Sequence, residues 1–220
     1  MIKHWAPLPE ITNYVNSLIK KENDVLELGP GAVPFSRTTH SCGWDKGPGG
    51  INFKDKVDFN TDQLPYEDKE FDFVYCRHVL EDLYNPFNAV KEMARVAQRG
   101  YIEIPSPLAE IAKGVDGGSP KWRGYHHHRY FVWSHAGILH FMPKFPMVEH
   151  LTFNESKLNE LLENKYYWNS YHQFEGEIKI KHHQHMIDFT VSGNYKDEIA
   201  DAVMQSVYAV DEFIKERNIK

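Results

Sequence analysis

Short apolar runs separated by turn residues dominate the first half of the chain. Three of them, 24–28 (DVLEL), 71–76 (FDFVYC) and 101–105 (YIEIP), are too short for helices and predict buried strands. The glycine-rich stretch 36–60 carries few helix signals. It predicts irregular chain with two further short strands, near residues 40–45 and 56–59.

Helical spacing of apolar residues predicts four helices. Residues 85–100 carry the clearest signals, with Asn85 as N-cap, Pro86 at the first helical position and Gly100 as the stop. The others are predicted at residues 9–20, at residues 155–164 and from Ile199 to Ile214.

The order of these elements predicts an α/β fold, with an open, mostly parallel sheet and helices on both faces. We expect one domain spanning residues 1–220, since this length supports a single core. Within it, residues 1–107 form the sheet core and residues 108–220 an extension. The extension is predicted to hold a hairpin of 125–133 with 137–144, a second of 166–174 with 177–187, and the long terminal helix.

Composition excludes some classes of partner. The formal charge of -6 gives no electrostatic reason to expect nucleic acid. No apolar window is long enough for a membrane span, and the first residues have no apolar signal core, so we expect a cytoplasmic protein. The two cysteines are expected to be reduced thiols. Either a monomer or a homodimer is compatible with the amphipathic last helix.

The turn that follows the first predicted strand is the first candidate site. In DVLELGPGAVPF, residues 24–35, an apolar run ends in an acid, two closely spaced glycines and two prolines. Ligands of open parallel sheets lie beyond the carboxyl ends of the strands. Asp45, Asn60 and Arg77 are expected to reach the same edge.

Two ordered motifs carry a family resemblance. DVLELGPGAVPF, followed by LPYEDKEFDFVYCRHVLEDLYNPFNAVKEMARVAQRGYIEIPSP, resembles the S-adenosylmethionine-dependent methyltransferases of the Rossmann-like class I fold, and is similar to the methyltransferase type 11 domain. The resemblance covers residues 24–107. It implies S-adenosyl-L-methionine as the cofactor and makes residues 1–107 the cofactor-binding core.

The resemblance also implies roles for individual residues. The turn would lie beside the methionine part of the cofactor, Asp45 would hold the ribose, a polar segment would face the adenine, and two residues after the fourth strand would line the cleft near the sulfonium. The turn residues are Glu27, Gly29, Pro30 and Gly31, and the ribose ligand is Asp45. The adenine segment contributes Asn60, Thr61, Asp62 and Leu64, and the cleft residues are Arg77 and His78.

The chain departs from the family pattern at two places. Val33 and Pro34 stand in the region of the third small residue of the glycine loop. Because a dinucleotide motif needs glycine where Pro34 stands, NAD is disfavoured. Asp82 stands where the family often has histidine, so no catalytic role resting on that histidine is carried over.

The 13 histidines are the most unusual compositional feature. In strands, His126 and His128 would share a face, as would His183 and His185, a spacing that chelates metals. No acid or cysteine completes such a set in the sequence, so no metal is predicted. If a general base exists, the candidates are His78, His126, His127 and His128. The aromatic residues around them are interpreted either as a substrate wall or as plain core.

These observations lead to two function hypotheses. The first is methyl transfer from S-adenosylmethionine to a small-molecule, glycan or lipid-precursor acceptor by in-line displacement. The alternative is a non-catalytic methyltransferase-fold protein that binds a ligand or a protein partner. Cofactor affinity and turnover discriminate between the two.

Overall fold

The structure of the protein is a computed structural model. It describes residues 6–31, 34–44, 46–47, 51–52, 55–116, 121–183 and 192–220. The helices of this part of the chain are α1 (Pro9–Ser17), α2 (Pro86–Val96), α3 (Pro107–Ile111), α4 (Glu155–Leu162) and α5 (Ser192–Glu216). Its strands are β1 (Val25–Leu28), β2 (His40–Gly43), β3 (Lys46–Gly47), β4 (Ile51–Asn52), β5 (Asp55–Lys56), β6 (Phe73–Arg77), β7 (Arg99–Pro105), β8 (Tyr130–His135), β9 (Ile138–Pro143), β10 (Asn169–Glu175) and β11 (Ile180–His182).

A six-stranded sheet with the order β10-β7-β6-β1-β2-β5 forms the centre of the fold. All neighbouring pairs are parallel except β10 with β7, which is antiparallel. The strand order reverses at β1, which lies between β2 and β6, and such a switch point opens a crevice at the carboxyl ends of the strands. The predicted open α/β sheet is confirmed.

The central strands are buried along most of their length because helices cover both of their faces. On one face, α1 and α5 contribute Ile11 and Phe213 to a cluster that contains Val25. On the other face, α2 contributes Met93 to the cluster that contains Leu26. Alternate residues of β1 therefore point into different cores.

Helix α2 ends earlier than its sequence signals suggest. Pro86 occupies the first helical turn as predicted, but the helix stops at Val96. Gly100 is not the stop and instead lies inside β7. A Cβ atom at Gly100 would lie 2.5 Å from Cγ1 of Val74 and 2.6 Å from its carbonyl oxygen, so glycine allows β7 to approach β6.

The extension contains one of the two predicted hairpins. Strands β8 and β9 form it, and β11 joins β9 in parallel to give a three-stranded sheet. The prediction of a second hairpin is wrong, because β10 pairs with β7 at the edge of the central sheet instead of with β11. Pairing with β7 leaves His172 and Ser170 of β10 almost fully buried. Residues 184–187 of the predicted hairpin lie outside the described residues.

The smaller strands also differ from expectation. The segment 125–129 is not extended, and β8 begins only at Tyr130, because Gly124 turns the chain with a φ of 57°. The short pair β3 and β4 is antiparallel. No helix among the described residues is long and apolar enough to cross a membrane.

His172 on β10 makes folding stability depend on pH. Its Nδ1 lies 2.9 Å from Oγ of Ser134, and burial lowers the pKa of its imidazole from 6.5 to about 4. The unfolded chain therefore binds a proton that the folded chain excludes, and stability falls as pH drops below about 6.5. Between pH 7.5 and pH 5 the loss from this residue amounts to about 2 kcal/mol.

We expect His172→Gln to be less sensitive to this pH change than the wild type by that amount, measured by urea unfolding at both pH values. The exposed His150 provides the matched control, and His150→Gln should keep the wild-type pH dependence. Equal pH dependence in the wild type and His172→Gln would contradict the assignment.

Candidate functional site

The turn after β1 contains a glycine that the fold itself requires. Gly29 has a φ of 57°, and its N–H donates a hydrogen bond to the carbonyl of Cys42 at 2.9 Å. A Cβ atom at this position would lie 2.8 Å from Cγ2 of Val79. Both the left-handed conformation and the close approach explain the glycine without a ligand.

Gly31 lies in a different environment. It is exposed, and no atom of the described residues outside its immediate chain neighbours lies within 4 Å of the position a Cβ would take. Open space beside backbone at the carboxyl end of the central strand is what a ligand in this crevice requires. The turn therefore fits a cofactor on its Gly31 side.

Glu27 holds the chain that follows this turn. Its buried Oε2 accepts hydrogen bonds from the N–H of Phe35 at 3.0 Å and from Oγ1 of Thr38 at 2.6 Å. Burial raises the pKa of this carboxyl, although the hydrogen bonds and the charge of Arg77 act in the opposite direction. The carboxylate positions the loop, and a direct contact with a ligand's ammonium group stays a prediction.

The predicted adenine segment is a compact turn that follows β5. The Nδ2 of Asn60 donates to Asp58 at 2.7 Å, and its Oδ1 accepts from the N–H of Asn85 at 3.0 Å. Leu64 is buried, whereas Thr61 and Asp62 are exposed. The side chain of Asn60 thus ties the segment to the start of α2. The carboxylate of Asp62 accepts hydrogen bonds from the N–H of Asp58 at 2.8 Å and from Oγ1 of Thr61 at 3.1 Å.

The two predicted cofactor-binding regions, the turn after β1 and the segment after β5, are neighbours in the fold. Cε2 of Phe59 lies 3.7 Å from the position a Cβ would take at Gly29. The structure therefore brings the segment after β5 to the turn after β1. Asp45, the predicted ribose ligand, lies outside the described residues.

Trp44 was not identified from the sequence as a site residue. It follows β2 directly and is 68% exposed, which is unusual for a side chain of this size. Since β2 is the neighbour of β1 in the sheet, the indole stands at the same edge as the glycine turn. An aromatic residue at a strand end within a glycine-rich stretch was the available signal.

Arg77 is engaged by a buried acid behind the edge of the sheet. Its Nε donates to Oε1 of Glu103 at 2.9 Å. The same carboxylate accepts hydrogen bonds from the hydroxyl of Tyr101 at 2.9 Å and from Nδ2 of Asn169 at 3.0 Å. Arg77 consequently fixes β6 against β7 and β10.

His78 follows Arg77 in a conformation that non-glycine residues rarely adopt. Its φ is 54°, and its N–H donates to the carbonyl of Glu103 at 2.9 Å. Left-handed conformations of such residues cost of order 1 to 3 kcal/mol and concentrate at functional sites. The imidazole Nδ1 lies 3.7 Å from Oε1 of Glu81.

Two further predicted histidines converge on this region from the segment before β8. His127 Nε2 lies 3.6 Å from Oδ1 of Asp82, and His128 Nε2 lies 3.7 Å from the same oxygen. His126 turns away, with its Nδ1 3.7 Å from Oδ2 of Asp116. The expected pairing of His126 with His128 on one strand face is therefore wrong, because the three residues form a turn.

Glu110 of α3 fixes the orientation of His128. Its Oε1 lies 2.6 Å from Nδ1 of His128, and its Oε2 accepts a hydrogen bond from Nζ of Lys144. Burial raises the pKa of Glu110, but these two cationic partners outweigh burial and leave the pKa lowered. Glu110 was not recognised in the sequence, where it reads as an ordinary helix residue.

The acids opposite His128 lie in unequal environments. Burial raises the pKa of the Glu81 carboxyl to about 8 even though the charge of His128 lowers it. Burial alone would lower the pKa of His128. The charge and hydrogen bond of Glu110 outweigh burial, so the pKa of His128 is raised.

A small cavity adjoins His128. Its volume is about 180 Å³, and its walls combine aromatic rings with the Lys144 ammonium. The lining includes Trp122, Tyr125, His126, His128 and Phe145. A larger cleft of about 630 Å³ borders Lys20, Arg99 and Gly176. That cleft is at the amino ends of the parallel strands, away from the crevice that ligands of this architecture use.

Part of the chain matches a known family. Residues 34–102 match the family model described as the methyltransferase domain. No curated protein matches the sequence. The match covers less than half of the chain and lies on the central sheet with its switch point at β1, so this part of the chain is similar to a methyltransferase domain.

Several solved structures are similar to the chain. An S-adenosylmethionine-dependent methyltransferase from Thermotoga maritima is 20% identical over 44% of this chain and 51% of its own, with a TM-score of 0.35. The YcgJ protein from Bacillus subtilis is 19% identical over 53% of this chain and 61% of its own, with a TM-score of 0.36. An S-adenosylmethionine-dependent methyltransferase from Mesorhizobium loti is 12% identical over 86% of this chain and 78% of its own, with a TM-score of 0.35.

The two glycines of the turn should respond differently to substitution. We expect Gly29→Ala to lower the free energy of unfolding by about 1 to 3 kcal/mol, because a left-handed residue would gain a Cβ that overlaps Val79. Gly31→Val should change stability by less than about 0.5 kcal/mol, because its surroundings are open.

Urea unfolding and calorimetric titration with S-adenosylhomocysteine test this pair of variants. Gly31→Val should weaken binding about tenfold, since the valine fills space that the ligand needs. Unchanged affinity in a folded Gly31→Val protein would remove this glycine from the binding site.

Proposed function

We propose that the chain transfers a methyl group from S-adenosylmethionine to a small-molecule, glycan or lipid-precursor acceptor. The observation that supports the proposal is that two regions follow neighbouring strands at the carboxyl edge of the sheet. The open side of the turn at Gly31 lies at the same edge as the histidine and acid cluster around His128.

The cofactor half of the proposed site is formed by the turn after β1 and the segment after β5. Gly29, Pro30 and Gly31 would hold the methionine part, with Glu27 positioning the following loop. Thr61 and Asp62 would contribute exposed polar groups at the adenine end. When bound, the cofactor supplies an electrophilic methyl group on a sulfonium.

The acceptor half would be the cavity beside His128. Its aromatic rings from Trp122, Tyr125 and Phe145 present flat apolar faces, while Lys144 contributes a charge. Such walls bind one ring of an acceptor and leave little room for solvent. Orienting the acceptor in a dry site is the main contribution a methyltransferase needs from its chain.

Proton removal is required only for a neutral acceptor. Because Glu110 holds Nδ1 of His128 in a buried hydrogen bond, His128 is an orienting group and His78 is the better candidate for a base. Its ring is partly exposed at the edge of the sheet, directly after β6. His126 faces Asp116, away from the acids, and we assign it no chemistry.

Calorimetric titration with S-adenosylhomocysteine, with NAD in a parallel cell, is the first test. We expect heat of binding with S-adenosylhomocysteine alone, because Pro34 removes an N–H from the loop that would bind a pyrophosphate. Binding of NAD alone, or of neither compound, would overturn the proposal.

Turnover is tested with methyl-labelled S-adenosylmethionine and a panel of sugar, phenol and amine acceptors. Incorporation of label that is lost in Gly31→Val supports the proposed reaction. The non-catalytic alternative draws support from the internal hydrogen bonds of Glu27 and Asn60, which keep these side chains from a ligand. Tight cofactor binding without turnover on any acceptor would favour that alternative.

A further inference from the structure

We propose that Asp82, His127 and His128, with Glu81 as a fourth ligand, form a binding site for a divalent transition metal ion, of which zinc is the best match. No acid stands beside these histidines in the sequence, so the sequence analysis predicted no metal. Folding supplies two acids, because the short helical turn after β6 packs against the turn before β8. The N–H of Arg129 donates to the carbonyl of Glu81 at 2.7 Å and joins these two turns.

The distances between the ligand atoms suit a metal ion better than direct hydrogen bonds. Oδ1 of Asp82 lies 3.6 Å from Nε2 of His127 and 3.7 Å from Nε2 of His128. One ligand atom from each of these three residues lies within 4.8 Å of the other two. Zinc bonds of about 2.0 to 2.2 Å in a tetrahedral site place neighbouring ligand atoms about 3.3 to 3.5 Å apart. The two distances from Asp82 therefore exceed this separation by only a few tenths of an ångström.

The buried carboxylate of Glu81 is a separate observation that favours a cation at this position. Its side chain is 1% exposed, and neither carboxylate oxygen accepts a hydrogen bond from another described residue. Oε1 lies 3.9 Å from Nε2 of His128, and Oδ1 of Asp82 is likewise buried without a hydrogen bond. A fully buried acid and a second carboxylate oxygen that is itself buried are costly in this state unless a cation satisfies them.

The orientation of His128 follows the pattern of metal-bound imidazoles. A hydrogen bond from Nδ1 to Glu110, whose carboxylate is fully buried, leaves the lone pair of Nε2 directed at the acids. Such carboxylate–histidine pairs fix the tautomer and orientation of metal ligands. Glu110 is thus a positioning residue for the proposed ion.

Two imidazoles and two carboxylates favour zinc or a neighbouring first-row ion over magnesium, which prefers oxygen ligands. His128 also lines the 180 Å³ cavity, so an ion held here borders the proposed acceptor space. A role in orienting an acceptor's oxygen or nitrogen rests on the proposed function. The binding of the ion itself does not.

Titration of tag-free, chelator-treated full chain with Zn²⁺ tests the site without cofactor or acceptor. We expect one ion per chain, with a dissociation constant of about 1 µM or tighter, and weaker binding of Mg²⁺. Binding of Mg²⁺ as tight as that of Zn²⁺, or no stoichiometric Zn²⁺ binding, would overturn the proposal.

Adjacent histidines provide a matched pair of variants. His127→Asn should weaken Zn²⁺ binding about tenfold or more, whereas His126→Asn in the same turn should leave it within about twofold. Asp82→Asn removes one ligand charge with little change in shape and should also weaken binding. Thermal unfolding checks that each variant is folded. Substitution of His127 should leave folding intact, because its side chain is 60% exposed. Equal losses in His126→Asn and His127→Asn would show scattered surface binding and overturn the site.

Discussion

The buried carboxylate of Glu103 is the interaction on which the arrangement of the site depends. It lies on β7 and accepts hydrogen bonds from Arg77 of β6, Asn169 of β10 and Tyr101 of its own strand. A charge buried to this extent is stable only when it is fully paired. Loss of one partner would leave an uncompensated charge between three strands, so the carboxyl edge of the sheet has one well-defined arrangement.

The conformation of His78 follows from this constraint. Because Arg77 is held by the Glu103 side chain and the N–H of His78 by its carbonyl, the chain leaves β6 in a left-handed conformation. The strain is offset by these two contacts, and it turns the next residues back over the edge of the sheet. Glu81 and Asp82 are thereby delivered to the segment that contains His128.

Local sequence predicted the sheet core well and the extension poorly. The turn at Gly29 and helix α2 depend on residues within a few positions of one another, so the local sequence predicted both. The partner of β10 depends on a pairing 64 residues away, between Asn169 and Pro105 at closest register, which periodicity does not encode. Asp82 was noticed only as a departure from a family histidine, because its neighbours in space come from another turn.

The same contrast separates the two halves of the proposed site. The cofactor half is built from consecutive residues after β1 and β5, so a motif can identify it. The acceptor half is assembled by long-range contacts: Gly124, with a φ of 57°, lies so close to the backbone of Glu110 that any side chain there would overlap it. That contact sets where His127 and His128 point. The proposed acceptor site therefore depends on packing between α3 and the turn before β8, which no short motif records.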